Sequence, residues 1–157
     1  EKLILLGTSA GLDGYSKVVI QNLIAVRRSN MSREQIVRNT APYIYSTALL
    51  DDTDRYERAI QATVDNPYTQ QDHAFIRQAQ AILAWDATSR SNGIKAPTLV
   101  VTNQDDTLVP PRNGEKLSKL ISGSKLVSLE GGHASVTENP HEHNAAFLEF
   151  LGVAVPA

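Results

Sequence analysis

The chain has 157 residues, of which 41% are hydrophobic, 20% charged and 6% aromatic. This is the composition of a globular protein, and it excludes collagen-like and intrinsically disordered chains. Fifteen Lys and Arg residues against seventeen Asp and Glu residues leave a formal net charge of −2. Since neither sign forms a long block, nucleic acid and membranes are not expected as partners.

Cysteine is absent from the sequence, which excludes disulfides, thiolate metal sites and a cysteine nucleophile within these residues. The longest N-terminal apolar run, Leu3 to Leu6, is too short for a signal peptide or a transmembrane helix. We therefore expect a cytoplasmic protein. Because the sequence starts at Glu1 rather than Met, we also expect a trimmed chain or a part of a longer one.

The first predicted element is a buried strand at Lys2 to Leu6. It is followed by about 80 residues with helical periods of apolar side chains and almost no strand signal. The predicted helices in this segment are Ser16 to Arg27, Ser32 to Asn39, Asp54 to Val64 and Gln70 to Trp85. A helical insertion of this size between strands indicates a lid or subdomain that shapes substrate specificity.

Two further strands are predicted at Thr98 to Val101 and Lys125 to Leu129. A predicted helix at Arg112 to Ile121 connects them, and Asn139-Pro140 is typical of the start of a final helix. Strands that alternate with helices form parallel sheets with crossover connections. The sequence therefore predicts an α/β fold built on a three-stranded parallel sheet with a helical insertion.

An acid and a histidine follow the last two predicted strands. Asp106 lies in the polar loop after the strand that starts at Thr98, and His133 follows Gly131-Gly132 after the next strand. Because the carboxyl ends of parallel strands meet at one edge of a sheet, we expect the two side chains to lie close together. An acid that orients a histidine general base forms two thirds of a catalytic triad.

Ser9 is a candidate nucleophile. The segment Gly7 to Gly11 matches the G-x-S-x-G pattern directly after a predicted strand, the context in which a strained strand-to-helix turn exposes a catalytic serine. However, Leu12-Asp13-Gly14 interrupts the helix that should follow, and no further strand appears before residue 97. Ser9 therefore remains a candidate whose surroundings lack two features that this context requires.

The segments around Asp106 and His133 closely resemble the C-terminal part of α/β-hydrolase-fold proteins. In that family a strand like "PTLVV", a loop of the type "DxxVPP" and a later "GGH" before the terminal helix recur in this order, as they do here from Pro97 to His133. The resemblance implies that Asp106 is the triad acid and His133 the catalytic histidine. Asn103 stands where the family usually has Gly, so we expect Asn103 to preserve the turn by tolerating a left-handed backbone.

The resemblance also implies a domain organisation. Residues 1–11 and 93–157 correspond to the C-terminal half of an α/β-hydrolase core, and residues 12–92 to a helical lid. The predicted fold is thus an incomplete domain, whose nucleophile and oxyanion-hole groups lie on a missing N-terminal half. Its first strand would expose an unpaired apolar edge. We therefore expect association with the complementary half, or self-association through this edge.

The function implied by the resemblance is hydrolysis of a small ester, lactone, amide or related bond through a nucleophile–His–acid triad. Two alternatives stay open, because one fold hosts many functions. The chain could be a self-contained small serine hydrolase that uses Ser9, Asp106 and His133. It could also be a non-catalytic binding module that retains the fold.

Cofactors and metals are not expected. The sequence contains no Gly-rich phosphate loop and no dinucleotide fingerprint. His141-Glu142-His143 follows a predicted helix start, where residues two apart do not share a helical face. We interpret these three residues as a solvated first turn rather than a metal site. The expected partner at the site is a small-molecule substrate.

Overall fold

The computed structural model describes residues 1–153 and places three parallel strands in one sheet. The strands are β1 (Leu3–Leu6), β2 (Thr98–Asn103) and β3 (Lys125–Leu129), in the order β1-β2-β3. The predicted three-stranded parallel sheet is therefore confirmed, with β2 extending two residues beyond its predicted end. The last four residues of the predicted core segment 93–157 lie outside the described residues.

Five helices connect β1 to β2. They are α1 (Gly14–Arg28), α2 (Arg33–Ile44), α3 (Thr47–Asp51), α4 (Thr53–Asp65) and α5 (Asp72–Ala84). Side chains before four of them cap the first turn: Asp13 accepts from the Ser16 N–H, and Ser32, Ser46 and Asp52 act in the same way for α2, α3 and α4. All four predicted helices are present, while α3 was not predicted from the sequence.

Helix α2 is longer than predicted. It continues past Asn39 to Ile44 although Pro42 lies inside it. Proline removes one backbone N–H from the helical ladder and crowds the preceding turn. Here the helix ends only two residues later, so the interruption falls in its final turn.

The remaining helices complete the α/β layers. They are α6 (Pro111–Leu120) between β2 and β3, then α7 (Ser135–Glu138) and α8 (Pro140–Leu151) after β3, with a short 3₁₀ turn at Ser91–Gly93. Helix α8 begins at Pro140, as the Asn139-Pro140 pair predicted, whereas the single turn of α7 was not predicted. Within residues 1–153, no helix combines the length and the apolar character that crossing a membrane requires.

The core has two centres. One lies between α1 and α5, where Val19, Leu23 and Ala79 are buried, and the other lies where Leu117 and Ile121 pack beside the sheet. The central strand β2 is buried along its whole length. This burial fixes where β2 ends, and therefore where the polar loop that follows it emerges.

Strand β1 lies at the edge of the sheet. The Leu3 N–H donates to the Pro97 carbonyl at 3.0 Å, and the Gly7 N–H donates to the Val101 carbonyl at 3.1 Å. In a parallel ladder alternate residues bond to the same neighbour, so the backbone groups of Ile4 and Leu6 point away from β2. Within residues 1–153, no strand pairs with that side of β1.

Candidate active site

Asp106 and His133 are in direct contact at the carboxyl edge of the sheet. The distance from His133 Nδ1 to Asp106 Oδ2 is 2.9 Å. The Asp106 side chain is fully buried, while 31% of the His133 side chain is exposed. Because a carboxylate only accepts hydrogen bonds, Nδ1 donates, and Nε2 of the neutral ring remains an acceptor. The geometry is that of a histidine prepared to take a proton.

The loop after β2 holds the Asp106 carboxylate in place. The Val109 N–H donates to Oδ1 at 2.7 Å, and the Asp106 N–H donates to the Asn103 carbonyl at 3.1 Å. Both carboxylate oxygens therefore have a donor. A buried carboxylate with a donor on each oxygen has little freedom to rotate, so it also fixes the plane of the His133 ring.

Two glycines shape the loop that carries His133, for different reasons. Gly131 has a φ of +118°, which side chains rarely allow. Gly132 instead lies against the backbone between α2 and α3, and a Cβ there would be 2.5 Å from the Tyr45 carbonyl carbon. In the "GGH" motif, the first glycine is thus required by its backbone conformation, and the second by its contact with the backbone at Tyr45.

The loop after β1 forms a third side of the site. Gly7 has a φ of +51°, and a Cβ on it would lie 3.4 Å from Asp106 Oδ2 and 3.6 Å from His133 Cε1. The first glycine of the G-x-S-x-G pattern therefore touches the Asp106–His133 pair itself.

Ser9 shares a cavity of about 260 Å³ with His133. No hydrogen bond joins the two side chains among the described residues. Helix α1 does not begin until Gly14, where Asp13 caps it. Ser9 therefore does not lie on the sharp strand-to-helix turn that exposes a catalytic serine, in agreement with the interruption predicted from Leu12-Asp13-Gly14.

His143 contradicts the prediction of a solvated first turn. Its side chain is fully buried, whereas His141 and Glu142 are exposed. Its Nδ1 donates to the Asn139 carbonyl at 3.0 Å, and its Nε2 lies 2.9 Å from Ser135 Oγ. A sequence signal was present, since His143 precedes Phe147 by one helical turn and their rings meet edge-on at 6.0 Å.

Asn103 also differs from its prediction. Within residues 1–153 only glycines have a positive φ, and Asn103 is the last residue of β2 rather than a left-handed turn residue. Its buried amide lies 3.1 Å from His143 Nε2. The structure places Asn103 Oδ1 toward this nitrogen. Because His143 Nδ1 donates to the Asn139 carbonyl, Nε2 of the neutral ring accepts, so the flipped amide with Nδ2 toward the ring fits better and gives a partner to the Nδ2 that lacks one among the described residues.

The acid loop is bonded to the junction between α2 and α3, a contact that the sequence did not reveal. The Asp105 carboxylate accepts from the Thr47 N–H at 3.0 Å, at the first residue of α3. The Thr107 hydroxyl donates to the Pro42 carbonyl at 2.8 Å, in the last turn of α2. Asp105, the neighbour of the triad candidate, thus acts on the helical insertion and not on His133.

The His133 loop is bonded to the same junction. The Ala134 N–H donates to the Ile44 carbonyl at 2.9 Å. The Glu138 carboxylate accepts from the Gly132 N–H at 3.3 Å and from the Ser46 N–H at 3.2 Å, and it also receives the Ser46 hydroxyl. The partner Ser46 is 92 residues from Glu138 in sequence, so local patterns gave no signal for this contact of Glu138.

One ion pair joins the first inserted helix to the core. Asp13 Oδ2 lies 2.7 Å from Arg112 Nε. Partial burial acts to raise the pKa of Asp13, but the hydrogen bond from the Ser16 N–H and the Arg112 guanidinium outweigh it, so this pKa lies below its usual value of 3.8. The carboxylate is therefore ionised at neutral pH and anchors α1 beside α6.

Comparison with known proteins agrees with this fold. The profile of the TAP-like protein family matches residues 69–151. A RutD protein of Pseudomonas savastanoi pv. phaseolicola, which is named as a carbamate hydrolase, is 35% identical over 77 residues, covering 48% of this chain and 30% of that protein.

Two further similarities cover the chain almost completely. A 2-hydroxy-6-oxononadienedioate/2-hydroxy-6-oxononatrienedioate hydrolase of Klebsiella pneumoniae is 29% identical over 159 residues, covering 98% of this chain and 54% of that protein. The crystal structure of MGS-M2, an α/β-hydrolase from a Medee basin deep-sea metagenome library, superposes with a TM-score of 0.84 at 22% identity, covering 100% of this chain and 58% of that one. The chain spans a little over half the length of these two proteins, 54% and 58%, and its match to the RutD protein covers 30% of that protein. With its parallel sheet and the profile match over more than half of its residues, the chain belongs to the TAP-like protein family of the α/β-hydrolase superfamily.

Proposed function

We propose that this chain supplies the acid and the histidine of a nucleophile–His–acid triad in a hydrolase. The observation that carries the proposal is the 2.9 Å hydrogen bond between the buried Asp106 carboxylate and His133, whose ring borders a cavity. Relatives named as hydrolases support the reaction type. The bond class we assign is a small ester, lactone, amide or related bond.

In the proposed mechanism, His133 Nε2 takes the proton of the nucleophile as the nucleophile attacks the acyl carbon. The imidazolium is stabilised by Asp106, which also holds the ring tautomer. The same proton then passes to the leaving group as its bond to the acyl carbon breaks. Water, deprotonated at Nε2, then attacks the acyl carbon, the bond between the acyl carbon and the nucleophile breaks, and the proton on Nε2 returns to the nucleophile.

We assign the nucleophile to a segment outside these 157 residues. Ser9 lacks the strand-to-helix turn, no strand within residues 1–153 pairs with the outer edge of β1, and the chain covers only 54% of the Klebsiella hydrolase. A complementary N-terminal half that pairs with the free edge of β1 would supply both the nucleophile and the oxyanion-hole groups. In this proposal α1 to α5 form a lid over the site, within residues 12–92.

The self-contained alternative uses Ser9 as the nucleophile, and one observation favours it: Ser9 and His133 line the same cavity. A fluorophosphonate probe separates the two possibilities. We expect intact-mass spectrometry of the folded chain to detect no adduct. A single adduct that is lost in Ser9→Ala would instead establish Ser9 as an activated nucleophile.

The triad roles are tested in a polypeptide that joins this chain to its complementary half. We expect His133→Ala to lower kcat for p-nitrophenyl ester hydrolysis by about 10⁴-fold or more, because the triad acts as a unit. Asp106→Asn should have an effect of similar order through the wrong ring tautomer. Turnover retained in His133→Ala would refute the assignment.

A further inference from the structure

The cavity beside His133 has a distinctive wall. Six apolar side chains line it together with the small polar residues Thr8 and Ser9: Leu12, Ile20, Ile82, Trp85, Leu108 and Val109. Among the described residues, no Lys, Arg, Asp or Glu borders this space. His133 is therefore the one titratable group that a bound molecule meets on the part of the wall that residues 1–153 form.

A charged group placed against this wall would lose water without gaining a partner. Desolvation of an unpaired carboxylate costs several kcal/mol in an apolar environment. The chain does carry charges close by. A separate groove shares Leu12 and Trp85 with the cavity, and its charged lining residues are Asp13, Lys17, Asp86 and Lys116. His133 does not line that groove. The charges of the groove therefore cannot pair with a charged group that extends from the reacting bond into the apolar cavity.

We propose that the substrate presents an uncharged, apolar group to this wall, beside the bond that His133 helps to cleave. The inference rests on the proposed function, because the position of His133 defines which end of the cavity holds the bond that is cleaved. The volume of about 260 Å³ exceeds the roughly 150 Å³ of an apolar cavity that binds benzene. The substrate class is thus an ester, lactone or amide whose group against this wall is an aliphatic chain or an aromatic ring, and not a second carboxylate.

The test compares two product-like probes on the 157-residue chain. Hexanoate and adipate share a carboxylate that can lie beside His133, and they differ at the far end, which is a methyl group in hexanoate and a second carboxylate in adipate. The readout is ¹H–¹⁵N NMR. Trp85 is the only tryptophan in the sequence, so its indole N–H gives a unique signal. The amides of Ser9 and Val109 report on the cavity alone, because the charged groove does not include them.

We expect hexanoate to shift the Trp85, Ser9 and Val109 signals with a Kd at least about tenfold lower than that of adipate, a difference of about 1.4 kcal/mol. Two variants provide a matched comparison. Ile82 is 38% exposed and lines this cavity, whereas Met31 is 40% exposed and lines a different one within the helical insertion. Ile82→Asp should weaken hexanoate binding at least about tenfold, because it places a carboxylate on the wall, and Met31→Asp should leave it unchanged.

Three results would overturn the proposal: adipate binding as tightly as hexanoate, no shift with either probe, or hexanoate binding that survives Ile82→Asp. Each of them concerns the wall and not the chemistry. A failure of the proposed hydrolytic function would appear elsewhere, as turnover that persists in His133→Ala, so the two ideas fail separately.

Discussion

Replacing Gly132 by alanine tests the contact between the His133 loop and the helical insertion. The new Cβ would lie 2.5 Å from the Tyr45 carbonyl carbon, 2.6 Å from the Ser46 nitrogen and 2.7 Å from the Ile44 oxygen. Ordinary contacts begin near 3.4 Å, so one backbone must retreat by roughly 0.9 Å. Overpacking of this kind typically costs about 1–3 kcal/mol.

The retreat also strains hydrogen bonds that cross the same contact. The Ala134 N–H to Ile44 carbonyl bond is 2.9 Å long, and the Gly132 N–H to Glu138 bond is already 3.3 Å. Weakening one of them adds about 0.5–1.5 kcal/mol, so we expect Gly132→Ala to lower the free energy of unfolding by about 2–4 kcal/mol.

Urea unfolding followed by circular dichroism measures this loss. Gly14→Ala is the matched control, because its Cβ would meet no heavy atom within 4 Å in the first turn of α1. That substitution should leave stability unchanged or raise it by up to about 1 kcal/mol. Equal stability of Gly132→Ala and Gly14→Ala would refute the claim that the close approach requires glycine.

Three further substitutions probe the supporting contacts. Asp13→Asn keeps the helix cap but loses the Arg112 ion pair, which is partly exposed, so it should cost less than about 1 kcal/mol at pH 7. The pKa of Asp13 is lowered in the folded state, so the stability difference between the wild type and Asp13→Asn should persist above about pH 3.8 and vanish as the pH falls through the folded-state pKa. Urea unfolding at pH 7, 4 and 2.5 would check this dependence. His143→Leu should lower the free energy of unfolding by about 2–4 kcal/mol, since it leaves buried polar partners unpaired, and an unchanged urea midpoint would contradict this role. Glu138→Gln removes an acceptor from the Gly132 N–H or the Ser46 N–H and should cost about 1–3 kcal/mol in the same assay, whereas the exposed Glu142→Gln should have no effect.

The parts of the fold that the sequence predicted correctly are those with strong local patterns. The three strands are short apolar runs, and the contact between Asp106 and His133 follows from a general property of parallel sheets, whose strands all end at one edge. Helix α8 was marked by Asn139-Pro140 at its start.

The parts that were missed depend on short elements or on distant partners. Helices α3 and α7 have only five and four residues, too few for a periodic apolar pattern. Asn103 was expected to adopt a turn because of its position after a strand, yet a buried partner forty residues away keeps it extended at the end of β2. Glu138 is 92 residues from Ser46 in sequence, and no local pattern marks such a contact.

The bonds between the α2–α3 junction and the two loops have a mechanical consequence. Pro42, Ile44, Ser46 and Thr47 are each hydrogen-bonded to the loop of Asp106 or to the loop of His133 and its following helix. A rigid rotation of all five inserted helices relative to the sheet would break these hydrogen bonds. Because the Asp13–Arg112 ion pair also holds the start of α1 to α6, the insertion is bonded to the rest of the fold at two separate places. The cavity reaches solvent without such a rotation, since two of the residues that line it, Ile82 and Trp85, are 38% and 54% exposed.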